Sequence, residues 1–320
     1  MSWVLLSFVS AMLLGCYDGA KKVSVRDNAV PMVLLVSVSI GATIYVPLIL
    51  WSSFSAGSVP AERFVVLPLS TDDHLLIFAK AVLVGASWTF AFTALKHLPL
   101  SIAAPIRSTS PLWTILIAVV FLGERPSVLQ ALGMVVTLIG FWQFTLVGRR
   151  EGVRFTRNRS VGWMVIATLL GACSSIYDKW LLQSHGLSAV TLQAWFTVYL
   201  VPVMVPLALN WRFGQVRQQR RAGLNTDAAS EEQPSQGNAP TRFQWRRSLL
   251  AVSPLLIVAD WFYFTALEDP DAMVSVISVI RRSSVVIALA FAAGALSEQN
   301  FRAKLFCVAQ VLLGVLLISY

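Results

Sequence analysis

The chain has 320 residues, of which 56% are hydrophobic and only 13% are charged, with a formal net charge of +9. Soluble domains carry about a quarter charged residues, so this composition excludes an ordinary soluble fold and predicts an integral membrane protein. The basic residues lie between apolar stretches, as membrane topology requires, so no nucleic-acid partner is expected.

Long apolar stretches predict helices that cross the bilayer, because about 20 residues at a rise of about 1.5 Å span a hydrocarbon core of about 30 Å. Ten are predicted, at residues 2–19, 29–51, 75–95, 101–121, 128–147, 161–183, 189–210, 249–267, 273–295 and 304–320. The expected fold is all-α. Short connections predict that successive helices are antiparallel neighbours. Residues 212–247, rich in Gln, Gly, Pro and Arg, predict a disordered loop.

The distribution of basic residues predicts the orientation. The connections after the odd-numbered spans carry eighteen lysines and arginines, whereas those after the even-numbered spans carry only Arg63 and Arg125. By the positive-inside rule the first set lies in the cytoplasm. With ten spans, both termini are then extracytoplasmic.

The sequence contains an ordered internal repeat. Tyr17-Asp18 recurs as Tyr177-Asp178, Val46-Pro47-Leu48 as Val205-Pro206-Leu207, and Phe92-Thr93-Ala94-Leu95 as Phe264-Thr265-Ala266-Leu267. Arg107, Leu122, Glu124 and Gly140 then match Arg281, Leu296, Glu298 and Gly314. The series predicts two five-helix repeats, residues 1–147 and 161–320, joined by a basic cytoplasmic connector, 148–160. Because five is odd, the second repeat is inverted relative to the first, an arrangement typical of secondary transporters.

Segment 94–141 contains Leu122-Gly123-Glu124-Arg125-Pro126, and segment 266–318 keeps Leu296 and Glu298 but departs at Ser297, Gln299 and Asn300. In these features the chain resembles EamA-type permeases of the drug/metabolite transporter superfamily. The resemblance implies export of a small metabolite or drug-like compound through a cavity between the halves. We also expect a bacterial inner-membrane location, no enzymatic activity, and no cofactor or metal site.

Charged residues inside predicted spans are the first candidates for a translocation pathway, since a charge in the bilayer costs about 2.5–3.5 kcal/mol on insertion scales. Asp260 lies near the middle of its span, and its repeat partner is Trp88. A buried carboxylate can bind a proton and couple its movement to transport. The alternative is a structural carboxylate bound to a neighbouring helix.

Arg107 and Arg281 are predicted to lie toward opposite ends of the cavity. A guanidinium binds carboxylate or phosphate bidentately, so an anionic or zwitterionic small-molecule substrate is expected. The alternative is a snorkelling arginine or an interhelical ion pair, with Asp260 as one partner. Arg282 follows Arg281 directly and faces another direction, which favours Arg281.

Three further residues are candidates for gating or for a structural motif. Glu124 and Glu298 begin spans 5 and 10, where a carboxylate stabilises a helix N-terminus; the alternative is a gating salt bridge. Lys179 follows Tyr177-Asp178, and a local ion pair with Asp178 is expected.

Trp88 occupies the position of Asp260 in the first repeat, and Trp261 and Tyr263 follow Asp260 in the second. They are predicted either to line the cavity or to form interfacial belts.

Two other functions remain open at this level. A flippase for a lipid-linked headgroup would need a cavity that opens laterally to membrane lipid, and a membrane-embedded transferase would need His/Asp or DxD-type chemistry at the surface. No P-loop pattern occurs, which leaves a proton gradient or substrate exchange to drive transport. The sequence is compatible with a monomer or a homodimer.

Overall fold

The computed structural model describes residues 3–55, 57, 59, 61, 64–110, 112–114, 116–117, 127–150, 158–225, 242–270, 272, 277, 280–281, 284–295 and 301–318. Within these ranges there are helices and no strand. The helices are α1 (Trp3–Val25), α2 (Val30–Ser55), α3 (Thr71–His97), α4 (Leu100–Ser108), α5 (Val128–Arg150), α6 (Arg159–Lys179), α7 (Ala189–Asn225), α8 (Ser248–Leu267), α9 (Ser284–Ala295) and α10 (Phe301–Ile318). A π-helical turn, Trp180–Ser184, continues α6. The predicted all-α class is confirmed.

Six of the described helices are long and apolar enough to cross a membrane: α1, α2, α3, α6 with its π turn, α7 and α8. They agree with the predicted spans at 2–19, 29–51, 75–95, 161–183, 189–210 and 249–267. Helices α5 and α10 overlap the predictions at 128–147 and 304–320. The predicted spans at 101–121 and 273–295 include residues outside the described ranges, where α4 and α9 cover only a part of each.

Large apolar side chains cover the outside of these helices. Met12, Trp142 and Phe306, on three different helices, are 62–67% exposed. A soluble protein rarely exposes contiguous apolar surface on this scale. Together with the six long apolar helices, this surface identifies an integral membrane protein whose outer side chains contact lipid.

The prediction of a disordered loop over residues 212–247 is wrong for its first part, because α7 continues to Asn225. Residues 211–225 include several arginines, glutamines and an alanine, which are good helix formers. Extending an existing helix avoids the cost of nucleation, so these polar residues continue the helix beyond its apolar part. Residues 226–241 lie outside the described ranges.

The most extensive helix contacts of the described residues do not join successive helices. Instead α1 packs against α8, α3 against α6, α2 against α7, and α5 against α10. Successive helices such as α2 and α3, or α7 and α8, are also in contact, as expected, but less extensively. A short connection fixes the direction of the next helix and leaves its main packing partner to side-chain fit. Close approach is visible at Gly85 of α3, where an added Cβ would lie 2.6 Å from Val203 Cγ1 of α7.

Contacts between connecting segments define two ends of the bundle. Lys22 Nζ donates to the carbonyl of Leu98 over 2.7 Å, and Asn28 Nδ2 donates to the carbonyl of Gln244 over 2.8 Å. We call this the basic end; it contains residues 26–29, 98–99 and 242–247. At the opposite end His185 contacts Asp73.

Two more contacts complete the opposite end. Gln183 Nε2 donates to the carbonyl of Leu267 over 3.1 Å, and the amide of Leu67 donates to Thr191 Oγ1 over 3.0 Å. The described connections after spans 1, 3 and 7 therefore lie together at one end, and those after spans 2, 6 and 8 lie together at the other.

Candidate functional site: a charged cavity between the helices

A cavity of about 160 Å³ lies in the interior of the bundle. Four cationic and two anionic side chains line it: Lys21, Lys80, Arg107, Arg281, Asp178 and Asp260. Aromatic rings cover much of the remaining wall: Tyr17, Trp88, Phe92, Phe196, Tyr263 and Phe264. Buried charges are costly unless they are paired, so the partners of each charge determine what the cavity can bind.

Near the basic end, one carboxylate forms ion pairs with two cationic side chains. Asp18 Oδ1 accepts hydrogen bonds from Lys21 Nζ over 2.6 Å and from Arg107 Nη1 over 2.5 Å. Lys21 Nζ also lies 4.4 Å from the ring centroid of Tyr17 and 5.5 Å from that of Phe92. The rings stabilise the ammonium through their negative faces. This group, which we call the Asp18 cluster, carries two positive charges and one negative charge.

Toward the opposite end, Lys80 of α3 binds the carboxylate of Asp178 of α6. Its ammonium lies 4.6 Å from the ring centroid of Phe196 and 5.2 Å from that of Phe264. Phe92 and Phe264 occupy matching positions in the sequence repeat, and each covers a lysine that binds a repeat-related aspartate. The lysines themselves come from unrelated positions.

The third pair joins Asp260 of α8 to Arg281. Arg281 Nη2 donates to Asp260 Oδ1 over 2.7 Å, and the guanidinium carbon lies 4.0 Å from the ring centroid of Tyr263. The Tyr263 hydroxyl in turn donates to Asp178 Oδ2 over 3.4 Å, which links this pair to Lys80. Among the described residues Arg281 Nε is buried without a hydrogen-bond partner.

The structure brings together five of the ten candidate residues. Asp260, Arg107, Arg281, Trp88 and Tyr263 all line the cavity. The interhelical pair of Arg281 with Asp260, weighed above as an alternative to substrate binding, is present.

Two candidates lie elsewhere. Trp261 stacks on Phe64, with 5.9 Å between ring centroids, and lines an outer apolar groove with Tyr45 and Ile257. The expected ion pair of Lys179 with Asp178 does not form among the described residues, because Asp178 binds Lys80 of the neighbouring helix. Glu124, Glu298 and Arg282 lie outside the described residues.

Sequence reasoning missed four charged residues of the site. Lys21 was assigned to a connection, although α1 continues to Val25 and buries it. Lys80 lies inside a predicted span and could have been found by the criterion that selected Asp260. Asp18 and Asp178 served only as markers of the repeat, although their recurrence in the same dipeptide was a signal that both repeats needed a carboxylate there.

The fold and the cavity define a helical membrane protein with buried ion pairs in its interior. Residues 1–146 match the model of the EamA-like transporter family. For these 146 of the 320 residues, the match bears out the resemblance to EamA-like membrane transporters. No curated protein matches the chain. A solved crystal structure, described only as that of a protein, has 16% identity and a TM-score of 0.59, covering 99% of this chain and 96% of that chain. The likeness in fold therefore includes the second half.

Proposed function

We propose that the chain is a secondary transporter that exports a small metabolite by alternating access between two inverted halves, residues 1–147 and 161–320. The observation that carries the proposal is the reciprocal packing of the helices around the charged cavity. The sequence repeat relates α1 to α6 and α3 to α8. The contacts of α1 with α8 and of α3 with α6 are therefore equivalent under that relation.

The same relation recurs at atomic detail where α5 meets α10. A Cβ on Gly140 would lie 3.1 Å from the backbone nitrogen of Val311, and one on Gly314 would lie 2.5 Å from that of Thr137. In the repeat Gly140 corresponds to Gly314, and Thr137 corresponds to Val311. Each half thus contributes the same close approach to the other, which supports a pseudo-two-fold axis between them.

Helix directions support the inversion. α1 ends beside the basic end, whereas its repeat partner α6 runs into the opposite end at Ser184. Helix α3 likewise ends at the basic end, and its partner α8 ends at the opposite one. Two halves with opposite directions can exchange conformations, which converts a cavity open to one side into a cavity open to the other. By the positive-inside rule, the basic end is cytoplasmic in this proposal and both termini are extracytoplasmic, in a bacterial inner membrane.

Asp260 is the proposed proton-coupling group. Its carboxylate lines the cavity and is held by Arg281. In this scheme a proton on the carboxylate weakens its ion pair with Arg281, so protonation and rearrangement of the cavity are linked. The carboxylate would then carry one proton for each turnover.

The test combines flux with distance measurements. Metabolites whose efflux increases on overexpression identify a substrate, and its flux is then measured in proteoliposomes. Spin labels at Arg26→Cys and Arg247→Cys report the basic end, and labels at Asp72→Cys and Ser184→Cys report the opposite end, with the native cysteines replaced. Alternating access predicts that the two distances change in opposite directions when substrate is added. A common change at both ends, or no flux of any metabolite, contradicts the proposal.

A further inference from the structure

We propose that the Asp18 cluster, together with Ser110, binds one singly negative group of the substrate, a carboxylate on a small aromatic or apolar body. The inference rests on the proposed transport function, because it names the substrate class of the same cavity. It depends on three observations: the charges of the cavity, a buried hydroxyl without a partner, and the lining of the wall.

The charges leave one positive charge without a counter-ion among the described residues. Lys80 is matched by Asp178, and Arg281 is matched by Asp260. Lys21 and Arg107 instead share the single oxygen Oδ1 of Asp18. The Arg107 side chain is 27% exposed, against 7% for that of Asp18, so the guanidinium is the member that reaches the cavity space. An anionic group there completes the neutralisation, whereas a second negative charge is buried without a partner.

Ser110 supplies the second observation. It is only 2% exposed and lines the same cavity, and its Oγ is a buried atom that has no hydrogen-bond partner among the described residues. It lies two residues beyond the end of α4 at Ser108, and it lines the cavity together with Arg107. A buried hydroxyl without a partner costs free energy, and a ligand oxygen that accepts from it removes that cost. A carboxylate offers two oxygens, one for the guanidinium and one for the hydroxyl.

The remaining side chains of the cavity wall determine which kind of substrate body fits beside the carboxylate. The aromatic side chains of Trp88, Phe92, Phe196 and Phe264 also line the cavity. The volume of about 160 Å³ lies below the roughly 300–1,000 Å³ of sites for drug-sized ligands. The expected substrate is therefore a small monocarboxylate with an aromatic or apolar body. Drug-sized compounds are too large for the cavity in this conformation.

The experiment measures binding to the purified protein by titration calorimetry near neutral pH. Four probes share one ring and differ in charge: phenylacetate, the neutral phenylacetamide, the doubly negative phenylmalonate, and the positive phenethylammonium. We expect phenylacetate to bind at least about tenfold more tightly than each of the others, because only it supplies one bidentate negative group. Equal binding of phenylacetamide, tighter binding of phenylmalonate, or no binding of phenylacetate overturns the inference.

A matched pair of serine variants locates the site. Ser110→Ala should weaken phenylacetate binding by about fivefold or more, since it removes a donor to a charged oxygen. Ser87→Ala should leave binding unchanged, because Ser87 lines the same cavity but its hydroxyl already donates to the carbonyl of Ala167 over 2.8 Å. Equal effects of the two variants overturn the assignment of Ser110. Binding is measured without transport, so selective phenylacetate binding without flux contradicts only the transport function, and flux of an uncharged substrate contradicts only this inference.

Discussion

Lys80 of α3 binds Asp178 of α6 in the cavity wall, and both side chains are more than nine-tenths buried. The pair joins the two halves of the chain. Removal of one partner from a buried pair leaves an uncompensated charge and costs about 3–5 kcal/mol. We therefore expect Lys80→Met to lower the thermal midpoint of the detergent-purified protein clearly, and Lys80→Met with Asp178→Leu to recover part of the loss.

The control for that prediction is Lys179→Met. Lys179 is adjacent to Asp178 in sequence, but no ion pair joins the two among the described residues. A substitution away from a buried network changes stability by about 0.5 kcal/mol or less. If Lys179→Met destabilises as much as Lys80→Met, the assignment of Lys80 as the partner is wrong.

Asp260→Asn tests proton coupling. The amide cannot carry a proton between the two sides, so flux of the identified substrate should lose its dependence on the pH gradient while the protein remains monodisperse. Flux is measured in proteoliposomes with and without a gradient. Asp72→Asn, at an exposed position in the first turn of α3, is the control and should keep the wild-type dependence. Retained coupling in Asp260→Asn excludes this carboxylate as the proton carrier.

Trp88 and Trp261 were equivalent candidates in the sequence, and the structure separates them. Trp88 lines the cavity, while Trp261 stacks on Phe64 in an outer groove. Trp88→Ala should therefore raise the Kd of phenylacetate several-fold, and Trp261→Ala should leave it unchanged. Calorimetry measures both. An equal loss of affinity in the two variants would show that the ligand occupies a different space.

Gly314→Ala and Gly162→Ala should change stability in opposite directions. A methyl group on Gly314 meets the backbone of α5, with Thr137 N at 2.5 Å and the carbonyl oxygen of Gly133 at 2.7 Å, and backbone cannot move away cheaply. Gly162 has no atom within 4 Å of the added Cβ, so alanine there gains helix propensity of up to about 1 kcal/mol. Thermal midpoints of both variants test the close approach of α5 and α10.

The orientation is tested by thiol accessibility in intact cells. Arg26→Cys at the basic end should be protected from a membrane-impermeant reagent, and Ser184→Cys at the opposite end should react. The reason is the excess of basic residues at the first end. The reverse pattern would place both termini in the cytoplasm.

The sequence predicted the helical class and the position of most spans, because hydropathy depends on local composition alone. It also singled out Asp260, Arg107 and Arg281, which line the cavity, because charged residues within apolar runs are easily recognised. The sequence did not predict the features that depend on contacts between residues of different helices. Trp261 follows Asp260 in sequence, but successive residues of a helix point about 100° apart, so one faces the cavity and the other the groove. The sharing of Asp18 between Lys21 and Arg107 joins two helices, and no local pattern encodes it.

The pairing of charges between the two halves determines which segments can form the cavity together. The first half brings Lys21, Lys80 and Arg107 to the interior with the single carboxylate of Asp18, whereas the second brings Asp178 and Asp260 with Arg281. Around the cavity, the first half therefore contributes a net positive charge and the second half a net negative charge. The two segments are thus complementary in lipid, and neither could form this interior by pairing with a copy of itself. Formation of this cavity therefore requires one copy of each segment.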